Sequence, residues 1–102
     1  MRIIKIALEY KCYPVWIYSK DNEFIDNDLV EELKNNSEID NMLMNIQEIY
    51  NKLYKDAGLS FTYEGFKSQS QRKRLILNIE KVIDLIRLEV SDKYIIENCV
   101  EI

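Results

Sequence analysis

Two hydrophobic periods occupy separate parts of this chain, and no all-helical or all-strand fold accommodates both. In the opening segment Ile4, Ile6, Leu8 and Tyr10 are apolar at every second position, while Lys5 and Glu9 mark the other side around Ala7. A repeat of two sends side chains to alternate faces of a strand. Near the other end Leu75, Ile79, Val82, Ile83, Ile86 and Val90 recur at steps of three and four, the stripe of an amphipathic helix. The chain must lay at least one long helix against a sheet.

The intervening segments fill out that scheme. "PVWIYS" predicts a second strand, with Pro14 at its first or edge position, "KDN" a turn, and "EFID" a short third strand. Asp28 is placed to cap a short helix through "LVEEL", with Glu31 and Glu32 in its first turn. After a break at "KNNS", Ser37 and Asp40 resemble a capping box. Ile39, Met42, Leu43, Ile46, Ile49, Tyr50 and Leu53 then predict a helix to about Lys55, ended by Gly58. "LSFTYEG" alternates as a strand, Ser68 and Gln71 open the long helix, and "YIIENCVEI" alternates as a last strand.

The expected order is β-β-(β)-α-α-β-α-β. Because strands and helices do not alternate regularly, this is an α+β fold. It predicts a mixed or antiparallel sheet of four to five strands, with two main helices and one short helix packed on one face. At 102 residues the chain is one domain, 1–102, able to bury about two-thirds of its unfolded surface.

Histidine is absent, which removes the usual general base near neutral pH and the commonest metal ligand. Cys12 and Cys99 are the only cysteines; neither has an activating base beside it in sequence. No segment approaches the length of a membrane-spanning helix, so a cytoplasmic protein with reduced thiols is expected. Gly58 and Gly65 belong to no phosphate-binding motif. Asp26 and Asp28 could offer two carboxylates to magnesium, but capping and turn roles account for them. Glu80 and Asp84 lie one turn apart, as on a solvated helix face. No catalytic residue, metal, cofactor or small-molecule substrate is expected.

Charge is the sharper asymmetry. The net charge is −4, yet Asp21 to Asp40 holds eight acids against the single base Lys34, a local −7. Trp16, Tyr13 and Tyr18 lie just before it. Aromatic anchors beside charge are how interfaces concentrate energy and steer encounter. Alternatively Trp16 or Tyr18 faces the core and the acids solvate a helix start. Lys67, Arg72, Lys73 and Arg74 form the one basic cluster and admit an alternative reading as a nucleic-acid-binding or regulatory module, against which the acidic net charge argues.

The stretch "EYKCYPVWIYSKDNEFIDNDLVEEL" resembles a group of small bacterial proteins in which an aromatic "YP-(V/L)-W-(I/L)-Y" run leads through a turn into an "IDNDL-x-EEL" helix start. The later "YEGF", Tyr63 to Phe66, followed by an amphipathic helix, is similar as well. Val30 stands where that pattern would suit proline. Such proteins are associated with immunity to bacterial toxins, including contact-dependent growth inhibition. The resemblance implies a non-enzymatic inhibitor that binds a cognate toxin domain stoichiometrically. Its expected binding residues are Trp16 and Tyr18 as anchors and Asp21, Glu23, Asp26, Glu31 and Glu32 as charge. Neither a membrane nor nucleic acid is an expected partner.

Overall fold

The computed structural model describes residues 1–102. The fold is α+β: two helices, a mixed four-stranded sheet and a separate two-stranded hairpin. Strand β1 spans Arg2–Ile6, β2 Val15–Tyr18 and β3 Phe24–Asp26. The turn between β2 and β3 is built from the predicted residues: Ser19 N–H donates to Glu23 O at 2.8 Å, and Asn22 takes the left-handed conformation at φ 68°. Asparagine tolerates that region because its short polar side chain serves its own backbone.

A single 3-10 turn, Glu31–Leu33, stands where a short helix was expected, and Asp28 does not cap it. Asp28 Oδ1 accepts from the adjacent Leu29 N–H at 2.7 Å, and Val30 occupies the cap position without a side-chain bond. Helix α1 covers Ser37–Asn51. Its cap is Asn36, not Ser37: Asn36 Oδ1 accepts from Ile39 N–H at 3.1 Å. The helix also stops short of Lys55. Strand β4, Tyr54–Asp56, follows at once and pairs antiparallel with β5, Phe61–Tyr63. Gly58, with φ 76°, belongs to the turn of this hairpin rather than to a helix end.

Helix α2, Gln69–Val90, begins at the expected cap, with Ser68 Oγ accepting from Gln71 N–H at 3.2 Å. It buries all six residues of the predicted stripe. Strand β6, Tyr94–Asn98, then returns beside β1. The sheet order is β3-β2-β1-β6, antiparallel except for the parallel β1–β6 pair. The "LSFTYEG" strand stands outside this sheet, and the observed order is β-β-β-α-β-β-α-β with the 3-10 turn before α1.

One cluster of 20 buried residues forms the core. The sheet contributes Ile4 and Ile6 from β1, Val15 and Ile17 from β2, and Tyr94 from β6; the helices contribute the stripes of α1 and α2, which pack on one another. Burying such side chains stabilises by roughly 1.5–3 kcal/mol each against leaving them exposed. The β1–β2 loop is held to α1 by amides: Gln47 Nε2 donates to Glu9 O and Asn51 Oδ1, and Lys11 N–H donates to Asn51 Oδ1, all at 2.8 Å.

Candidate functional site: the open face of the sheet

Strand alternation makes one face of the sheet core and leaves the other without helices. The register pairs Ile3 with Tyr18 and Ile95, and Lys5 with Trp16 and Glu97. These residues are half-buried or exposed, whereas their neighbours Ile4, Ile6, Val15 and Ile17 are buried. Trp16 and Tyr18 therefore face away from the core, so neither ring is a core residue.

Phe24, 55% exposed, joins them across the strand boundary. Its ring centroid lies 6.0 Å from Trp16 and 5.8 Å from Tyr18, in tilted and edge-to-face geometry. Trp16 Nε1 donates to Ala7 O at 3.1 Å, fixing the indole. Lys5 Nζ sits 4.2 Å from the Tyr18 ring centroid, a cation–π contact. A shallow depression of about 290 Å³ lies here, lined by Lys5, Ala7, Glu9, Trp16, Tyr18 and Cys99. An aromatic surface already held in place loses little side-chain entropy when covered.

The acids divide. Asp21 and Glu23 lie in the exposed β2–β3 turn, contiguous with Tyr18 and Phe24; Ser19 Oγ accepts from both of their N–H groups. Asp26 ends β3 and is exposed, its Oδ1 accepting from Asn27 N–H at 2.8 Å. Asn27 Nδ2 donates to Tyr13 O and Val15 O at 2.6 and 2.8 Å, tying the segment after β3 to the start of β2. Glu31 lies 3.7 Å from Lys34 Nζ, which also approaches Asp28 at 3.6 Å.

Glu32 accepts from Tyr94 Oη at 2.9 Å. Tyr94 pairs with Arg2 and so shares the face of Ile4 and Ile6, which places Glu32 across the sheet from Tyr18. The Glu32 carboxyl is held below the usual range, first by its own backbone N–H and then by the Tyr94 hydroxyl. The structure thus leaves Asp21 and Glu23 in the turn next to the aromatic patch and assigns Glu31 and Glu32 to contacts around the 3-10 turn.

Elsewhere, Arg72 Nη2 donates to Ile102 O at 2.9 Å, while Lys67, Lys73 and Arg74 are exposed around the start of α2. Cys12 and Cys99 are free thiols. No group of three or more His, Cys, Asp or Glu side chains converges, and no helix is long and apolar enough to cross a membrane.

Two features were missed in the sequence. Phe24 was assigned to a strand, but its place opposite Tyr18 depends on the β2–β3 register. A second aromatic cluster surrounds the hairpin: Tyr54 stacks on Phe61 at 5.1 Å, and Tyr10, Tyr50 and Tyr63 close around them. Comparison with protein-family models finds none that matches the chain, and comparison with curated proteins finds no significant relative.

Proposed function

We propose that this chain is an immunity protein, a cytoplasmic inhibitor that occludes a cognate bacterial toxin domain one to one and performs no catalysis. The observation that carries this reading is the helix-free sheet face on which Trp16, Tyr18 and Phe24 meet beside the acidic β2–β3 turn. A rigid aromatic patch rimmed by acids suits a basic protein surface, such as the substrate channel of a nuclease. Trp16, Tyr18 and Phe24 anchor the partner, while Asp21 and Glu23, with Asp26 at the strand end, supply charge at the rim. Glu31 and Glu32 act at longer range.

The test is a pull-down of the tagged chain against the product of the adjacent upstream reading frame, followed by calorimetry. A one-to-one nanomolar complex is expected, weakened at least roughly 30-fold, about 2 kcal/mol, by Trp16→Ala. Reversing charge at Asp21 and Glu23 should slow association more than reversing it at Glu31 and Glu32. Failure to recover a complex, or full affinity in Trp16→Ala, refutes the reading.

A further inference from the structure

A second surface lies at the edge of the same sheet. Strand β6 pairs only with β1. Cys99 N–H donates to Ile6 O at 2.8 Å, so alternation directs the N–H and C=O groups of Ile96 and Asn98 to the outer side, where no strand lies. Open backbone groups at a sheet edge are a template for another extended chain. No proline, lysine or bulge interrupts Tyr94–Asn98.

Beside this edge runs a crevice under α2. Two adjoining depressions of about 180 and 200 Å³ share Asn98 and receive Ile76, Ile79 and Ile83 from the helix. Arg72, Glu80, Asp84 and Arg87 line the two depressions, and Glu97 stands on the opposite face of β6, beside Lys5. Asp84 is paired with Arg87 at 3.6 Å, and Arg72 is bonded to Ile102 O. Glu80 and Glu97 have no ion-pair partner, and Tyr94–Ile102 contains two acids and no base.

We infer that the β6 edge accepts an extended, basic segment of a partner polypeptide as a fifth strand. Its apolar side chains would enter the crevice under α2, and its alternate lysines or arginines would face Glu97. The occupant is not a second copy of this chain. Antiparallel self-pairing about Ile96 would set two Glu97 carboxylates as diagonal neighbours, about 7–8 Å apart on one face. Glu97 lies on the same open face as Lys5 and Trp16, but the hydrogen-bonding edge itself is two strands away from Trp16, so Trp16→Ala should leave peptide binding at this edge unchanged.

The probe is a fluorescein-labelled eight-residue peptide alternating valine and lysine, followed by anisotropy and by amide hydrogen exchange of the full chain. In the free protein the Ile96 amide should exchange at least roughly tenfold faster than those of Ile95 and Glu97, which face β1. The peptide should bind with Kd on the order of 100 µM and slow exchange at Ile96. The double substitution Glu80→Gln with Glu97→Gln, at exposed sites, should weaken binding at least roughly threefold at unchanged melting temperature. The inference is overturned by absence of binding at millimolar peptide, or by equal binding of a valine–glutamate peptide. Protection confined to the Trp16 face, or self-association that protects Ile96 without peptide, also overturns it.

Discussion

Alkaline solution should destabilise this protein through its phenols. Burial raises the Tyr13 hydroxyl far above its ordinary value, helped by its 2.6 Å bond to Asp40. Tyr50 is raised likewise, by burial and then by its 2.8 Å hydroxyl contact with Tyr54. Tyr94 shifts in the same direction through burial and its bond to Glu32. A raised acid contributes stability that is complete below the ordinary phenol value near 10 and is lost as pH climbs through the folded value, because the unfolded chain releases its protons first.

For Tyr13 and Tyr50 together the loss at pH 11 has a ceiling of about 2.8 kcal/mol, and residual solvation of the rings reduces it to about 1.5 kcal/mol. In a domain of this size that lowers Tm by about 6–12 °C. The assay is calorimetric melting between pH 9 and 11.5, with native phenolate absorbance followed in parallel. The comparison is with Tyr13→Phe/Tyr50→Phe, whose curve should be flatter by that amount. If the double variant loses stability as steeply as the parent, or if all seven tyrosines ionise together near pH 10 in the folded protein, the reasoning fails.

Two further outcomes follow from the packing. Asn36→Ala should cost about 1 kcal/mol, whereas Ser37→Ala and Asp28→Ala should each stay within about 0.5 kcal/mol by urea denaturation, since only Asn36 caps α1. Ile86→Ala, at a site with no exposed surface, should cost about 2–5 kcal/mol in the same assay at an unchanged slope.

The long helix was legible because Leu75 to Val90 carries one uninterrupted stripe and Ser68 with Gln71 marks its start. The first strands were legible for the same reason, at period two. The β4–β5 hairpin was not. Leu53 still falls in helical phase with Ile46 and Tyr50, and Gly58 offers a ready helix stop, so local pattern extends α1 too far. What ends it is tertiary: Glu64 and Gly65 N–H both donate to Leu53 O at 2.7 and 3.1 Å, and Tyr54 stacks on Phe61.

The α1 cap slipped by one residue because Asn36 and Ser37 are both good capping types, and only the extended backbone of Asn36 distinguishes them. At the candidate site, period two identified Trp16 and Tyr18 as a pair on one face but could not say which face the helices leave open. Linear proximity grouped Glu31 and Glu32 with the aromatics, whereas the Tyr94 hydroxyl holds Glu32 beyond the sheet.

The parallel pairing of β1 with β6 sets a timetable for synthesis. Arg2 waits for Tyr94, 92 positions later, and at ribosomal rates that separation takes roughly 5–20 seconds. A β1–β2 hairpin forms within about 10 microseconds. Throughout that interval, the strand that ends in the middle of the sheet therefore has an unpaired margin, with Ile4 and Ile6 awaiting α2. The nascent chain must pass through a long interval of adhesiveness that the finished protein no longer displays on that side.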